Sequence, residues 1–356
     1  MMNKNQVEVK LIPFDPFKAT SEEWNELHDY RKRYHNENMS DFPPIEDGTY
    51  EKNIKALKDS PNIDLSSFRI IKNGKMVGTM GIRVTKESSK SYEKKKNELN
   101  FNVKLLKKYR RLGIGSIALA KVYEFAQKDN KTLFTSESFH EDGKNFLRKV
   151  GAQEGLVVRT NRLEFDNFDW DMVKNWIKEA ESKNPDLKLK FYTIVPEEII
   201  QSFCDVATET SNQTPQDNLQ TGSIVITPDM HRGLEKQIAN AGANQDIAVI
   251  LDKDNKILGL TFLISMPEDN FLEQQITGVL INQRGKKLGK WLKAGLLLHV
   301  KEKYPNKKYI ITKNAESNDA MLAVNRKLGF KRLREEIIFQ LSLKDLTDYL
   351  QAKNLI

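Results

Sequence analysis

The sequence predicts an α/β protein built as two copies of one domain. Three observations carry this. At 356 residues the chain is too long for one ordinary core and suits two. A hairpin pattern in the first half has a counterpart in the second. In each half a strand-like run then leads through a loop rich in Arg, Lys and Gly into a long apolar helix.

The elements follow in order. Phe68-Arg69-Ile70-Ile71-Lys72-Asn73-Gly74-Lys75-Met76-Val77-Gly78 reads as strand, turn and strand, because Asn-Gly supplies the left-handed backbone of a tight hairpin. Residues 247–260 repeat the layout, and both second strands share a motif, Lys75-x-x-Gly78 and Lys256-x-x-Gly259. Residues 99–105 alternate with period two and lead into Arg110-Arg111-Leu112-Gly113-Ile114-Gly115-Ser116. The helix behind carries Ile117, Ala120, Tyr123 and Ala126 at helical spacing. In the second half residues 275–281 lead into Arg284-Gly285-Lys286-Lys287-Leu288-Gly289-Lys290, and Trp291, Leu292, Leu296 and Val300 mark the helix. Each half closes with one more strand and a helix ending at Val150-Gly151-Ala152 or Leu328-Gly329-Phe330. Between the copies Trp170, Val173, Trp176 and Ile177 are spaced as a helix that stops before Asn184-Pro185. The expected division is a first domain over residues 1–165, a joining helix over 166–187 and a second domain over 188–356.

Composition narrows the class. No apolar run approaches the ~18 residues that span a bilayer, and the first residues carry no apolar signal core. A single cysteine, Cys204, rules out an internal disulfide framework and fits a reducing cytoplasm. The histidines show no metal-ligand spacing, so no metal is expected. The formal charge is +8, with basic runs at Lys94-Lys95-Lys96 and Lys107-Lys108-Tyr109-Arg110-Arg111. No nucleic-acid motif accompanies these runs, so solvated faces or attraction for a small anion explain them better.

A strand that ends in a Gly-rich turn and opens into a helix makes an anion site. The first helical N–H groups lack intrahelical acceptors, and the helix dipole adds partial positive charge there. Glycines let a pyrophosphate approach the backbone, and the basic side chains add charge. Here the arrangement occurs twice.

At these residues the chain resembles the GCN5-related N-acetyltransferase (GNAT) family, whose loop is Arg/Gln-x-x-Gly-x-Gly/Ala. Arg110-Arg111-Leu112-Gly113-Ile114-Gly115 fits every fixed position, whereas Lys287 stands where the second loop should have its first glycine. Residues 312–330 are similar to the family's second signature, an Asn-rich turn, a helix and a Gly-Phe turn. The resemblance implies two tandem domains, each a mixed, mainly antiparallel sheet flanked by helices. It also implies acetyl-CoA as acyl donor. The donor would be held by Val279, Ile281, Arg284, Gly285, Lys286, Lys287, Leu288, Gly289, Lys290, Asn314 and Asn318 in the second copy. In the first it would be held by Arg110, Arg111, Gly113, Gly115 and Ser116. Asn314, Asn318 and Gly329 also make sense as turn and helix caps.

The resemblance further implies direct attack by an amine in a ternary complex. Glu273 precedes Arg284 by eleven positions, the place of a general base in histone-acetylating relatives; counting back from Arg110 in the same way reaches Leu99. Where many relatives carry an acidic tyrosine stand Asn325 and, in the first copy, Leu147. The second copy is thus expected to be catalytic, with Glu273 and Asn325 at its centre. The partners expected are acetyl-CoA and an amine-bearing small molecule or peptide, with no nucleic acid and no membrane; a monomer is favoured over a dimer. Two rivals are a non-catalytic acyl-CoA-binding protein and an aminoacyl-tRNA-dependent transferase with the same paired fold.

Overall fold

The computed structural model describes residues 9–356 apart from Thr221 and Glu268. The first half runs β1 (Val9–Phe14), α1 (Ser21–Asn38), α2 (Asp47–Lys58), β2 (Ile63–Lys72), β3 (Lys75–Thr85), α3 (Tyr92–Lys95), β4 (Glu98–Leu105), α4 (Ile114–Lys128), β5 (Leu133–Ser138), α5 (Glu141–Val150) and β6 (Gln153–Glu164). After α6 (Trp170–Lys183) the order recurs as β7 (Lys188–Tyr192), α7 (Ile200–Asn212), α8 (Pro228–Asn240), β8 (Asn244–Leu251), β9 (Ile257–Ser265), β10 (Phe271–Val279), α9 (Leu288–Lys303), β11 (Tyr309–Ala315), α10 (Asp319–Leu328), β12 (Lys331–Ser342) and α11 (Leu343–Gln351).

The local chemistry expected from the sequence is present. Asn73 and Gly74 both have positive φ (52° and 72°), the backbone of a two-residue hairpin turn. A Cβ on Gly78 would lie 2.5 Å from Leu105 Cδ2, and one on Gly259 would lie 2.9 Å from Gly278 O. The shared Lys-x-x-Gly motif therefore marks a close approach of two strands in each copy. Helices α5 and α10 both end on left-handed glycines, Gly151 and Gly329.

The compact units are not contiguous in sequence. One comprises residues up to Leu156 with Asn218–Gly222 and Glu336–Ile356; the other comprises Val157–Asp217 and Ser223–Glu335. In the first unit the strand order is β1-β2-β3-β4-β5-β12, and in the second β6-β11-β10-β9-β8-β7. Each sheet is antiparallel except at β4–β5 and β10–β11. The last strand of each sheet is exchanged between the halves of the chain. Residues 337–342 pair with 133–138 in the first unit, and residues 158–164 pair with 309–315 in the second. This corrects the expected division at 165 and 188, because period-two alternation does not say which edge a strand will join.

In the first unit α11 follows its exchanged strand and buries Leu346 and Leu350 completely. Burial of a leucine stabilises by roughly 1.5–3 kcal/mol, so the C-terminal segment is integral to that unit's core. Helix α6 is no free linker either. Its Val173 and Ala180 are fully buried in the core of the second unit, with Trp170 and Trp176 packed on the same cluster.

Candidate active site

The parallel strand pairs of both units open after a few residues. β4 and β5 pair at Glu98–Leu133, Leu99–Phe134 and Asn100–Thr135 and then separate. β10 and β11 pair from Phe271–Tyr309 to Gln274–Thr312 and then separate. The two wedges differ in one respect. β4 runs beside β3 without interruption, whereas β10 shifts register against β9 between Gln274 and Thr277. A bulge of this kind turns backbone polar groups out of the ladder.

The bulge also changes the residue correspondence. Counting from the start of the parallel pairing, Glu273 matches Asn100, not the Leu99 reached by counting back from the loop arginine. Leu99 instead matches Leu272, and both are fully buried. Asn100 Nδ2 donates to Thr135 O and Oγ1 at 3.3 and 3.1 Å, so in the first copy this position bridges the wedge. Glu273 is half-buried and lies on the sheet face opposite Gln274.

Both loops arrive through one 3₁₀ turn, Lys107–Tyr109 or Ile281–Gln283. Each then needs two left-handed residues. They are Arg111 (φ 59°) and Gly113 (φ 81°) in the first loop, and Gly285 (φ 82°) and Lys287 (φ 65°) in the second. Lys287 thus adopts the backbone of the glycine it replaces, at a cost of roughly 1–2 kcal/mol. The first helical hydrogen bonds run from Ser116 and Ile117 to Gly113 O, and from Lys290 and Trp291 to Lys287 O. The N–H groups before them point ahead of each helix.

The loop arginines are structural ties. Arg110 Nη2 donates to Asn38 Oδ1 (2.5 Å) at the end of α1, and Arg284 Nη2 to Gln213 Oε1 (2.6 Å) at the end of α7. Lys107 N donates to Glu37 and Ile281 N to Glu209 in the same manner. Arg111 pairs with Asp142 at 3.3 Å, which leaves Glu141, the N-terminal residue of α5, to Lys144. Lys287 reaches Glu179, whose hydrogen bond raises the lysine's pKa, and Lys290 stacks over Trp176 at 4.8 Å. Lys286 holds Gln283, Leu288 is buried and Val279 packs against the core. Ile281 is 63% exposed.

The second glycine of each loop separates the copies. A Cβ on Gly115 would lie 2.9 Å from the Phe146 ring, and Ser116 Oγ lies 2.7 Å from Tyr349 OH of α11. At Gly289 the nearest atom to such a Cβ is Val279 Cγ2, 3.9 Å away. A side chain at the second helical residue would meet a ring in the first copy and open space in the second.

The second signature also comes together. Asn325, 1% exposed, donates from Nδ2 to Asn314 Oδ1 at 2.8 Å, and its own Oδ1 is buried without a partner. Asn318 caps α10 through Met321 N. Sequence reasoning did not foresee the burial of Lys293. It is 1% exposed on α9, and its Nζ donates to Gln274 Oε1 at 2.5 Å. Gln274 in turn donates to Thr261, which meets Thr277 in the bulge at 2.8 Å. Burial pushes the Lys293 ammonium down to about 7. The polar face of an amphipathic pattern would have been the only signal, and α9 has little of one.

Among the described residues no group of three or more His, Cys, Asp or Glu side chains could hold a metal, and no helix is long and apolar enough to cross a membrane. Residues 24–152 match the sequence profile described as the acetyltransferase (GNAT) family. That match lies within the first half of the chain, and across both halves the chain has the fold of a tandem GNAT protein.

Solved structures share that fold. A tandem GNAT protein from the clavulanic acid biosynthesis pathway superposes with a TM-score of 0.74 at 18% identity, covering 94% of this chain and 99% of that one. A GCN5-related N-acetyltransferase from Sphaerobacter thermophilus gives 0.64 at 9%, covering 94% and 96%. One from Anabaena variabilis gives 0.50 at 13%, covering 94% and 73%. A comparison with curated protein sequences finds no match.

Proposed function

We propose that the chain is an N-acetyltransferase that moves an acetyl group from acetyl-CoA to a primary amine by direct attack, with the C-terminal domain as the catalytic one. The observation that carries the assignment is the bulged and splayed β10, with room around Gly289 at the helix start behind it. An acyl donor's pyrophosphate would meet free N–H groups there, and the bulge would offer N–H groups to the thioester carbonyl.

Glu273 takes a proton from the incoming ammonium, directly or through water. The neutral nitrogen attacks the thioester carbon. As the C–S bond breaks, the second proton of the adduct passes to the leaving thiolate. Asn325 takes no part as an acid, since an amide does not give up a proton as a phenol does. The N-terminal domain, with Phe146 over Gly115, is the non-catalytic partner. The +8 charge favours an anionic donor, and the lone buried Cys204 fits a reducing, cytoplasmic setting.

The test is calorimetric titration of acetyl-CoA into the parent, Gly289→Asp and Gly113→Asp proteins, with circular dichroism to confirm folding. Gly289→Asp is expected to abolish binding and Gly113→Asp to leave it intact. Loss with Gly113→Asp alone moves the donor site to the N-terminal domain, and a folded parent that binds none removes the reading.

A further inference from the structure

The two units differ on the sheet face that carries their first two helices. In the second unit α7 sits directly on β10: a Cβ on Gly278 would lie 2.3 Å from Thr210 Cβ. The matching residue of the first unit is Lys104, whose carbonyl accepts a hydrogen bond from Tyr30 of α1 at 2.8 Å. There a cavity of about 240 Å³ remains between α1, α2 and strands β2 to β4. Leu27, Leu57 and Leu65 give it apolar walls, and Asn102, Arg69 and Arg83 line it with polar groups.

The two arginines are not alike. Arg69 is neutralised by Glu23 and Glu26 of α1, at 2.5 and 2.7 Å. Arg83 is half-buried, its Nε is buried without a hydrogen-bond partner, and it forms no ion pair among the described residues. The residue in the corresponding place of the second unit is Ile264, which pairs with Gln245 as Arg83 pairs with Leu65. Val249 likewise replaces Arg69. The cations belong to the first unit alone.

A guanidinium stays charged under all ordinary conditions, and a half-buried one with no carboxylate beside it attracts an anion. Its planar fork matches a carboxylate. The apolar walls suit a monoanion with a hydrocarbon body better than a phosphate, which needs donors on several sides. The volume has room for on the order of ten non-hydrogen atoms at protein packing density. We propose that this cavity binds a small monocarboxylic acid, its carboxylate paired with Arg83 and its apolar body against Leu27, Leu57 and Leu65. The proposal does not depend on which domain transfers the acyl group, and it is read by binding alone.

The experiment is calorimetric titration of the full chain with phenylacetate and octanoate, beside phenylacetamide and inorganic phosphate. It is repeated on Arg83→Met, which removes the charge but breaks no ion pair, and on Leu57→Trp, which fills the cavity. Circular dichroism checks each fold. The acids are expected to bind one site, with the amide and phosphate at least tenfold weaker. Each variant is expected to lose the acids by at least tenfold. Equal binding of the amide, stronger binding of phosphate, retention by folded Arg83→Met, or no binding of either acid by the parent overturns the proposal.

Discussion

The loops at residues 110–115 and 284–289 bend alike, with two left-handed residues each, yet place their glycines differently: Gly113 in one, Gly285 in the other. Arg111 and Lys287 take the remaining left-handed positions. A departure from a family motif at one residue is therefore compatible with an unchanged backbone, provided the rest of the loop fixes it. What separates the loops is their surroundings. Phe146 lies over Gly115, and nothing comparable lies over Gly289. The copy with the better motif is the one whose second loop glycine packs under a ring.

The largest expected effect tests the chemistry of the open copy. With an amine that the enzyme acetylates, Glu273→Gln is expected to lower kcat by roughly 10²–10⁴-fold with little change in acetyl-CoA affinity. The corresponding change in the other copy, Asn100→Asp, is expected to leave kcat alone. Steady-state kinetics on both variants checks this, and equal effects would erase the distinction between the wedges.

The covered copy can be opened. Phe146→Ala removes the ring against Gly115 and is expected to add a second, weaker acetyl-CoA site, raising the calorimetric stoichiometry from one to two. An unchanged stoichiometry would mean that Phe146 is not what closes that helix start.

The smallest effect concerns stability beneath the open wedge. Lys293 titrates near about 7 in the folded protein and near ~10.4 when unfolded. Between these values the unfolded chain holds the extra proton, so this residue makes stability rise with pH across that window. Lys293→Met should therefore be more stable than the parent by a few degrees in Tm at pH 6.5, with the advantage shrinking towards pH 9.5. Thermal melts at both pH values read the difference; a constant advantage would show that Lys293 is not desolvated as a charge.

The local features were legible because each depends on a few neighbouring residues. The Asn73-Gly74 turn, the Asn318 cap and the Gly151 and Gly329 helix ends all follow from side-chain size and backbone freedom. The α9 stripe of Trp291, Leu292, Leu296 and Val300 is buried as its spacing predicts. In α4 the buried face is instead Ile114, Ala118, Leu119, Val122 and Ala126, so only Ala126 of the four marked residues lies on it. Small residues spread along that helix blur the stripe. Asn314 and Asn325 were singled out one by one; their 2.8 Å contact needed the fold.

By itself the sequence determined the duplication, the order of elements in each copy, the two loop–helix junctions and their resemblance to an acyltransferase family's loop. Tertiary structure decided which edge β6 and β12 join, the one-residue shift that sets Glu273 against Asn100, the covering of Gly115 and the cavity beside Arg83. The physical reason is range. Turns, caps and periodicity are set within a few residues, whereas strand partners, bulges and close packing depend on surfaces that meet only after the chain has folded.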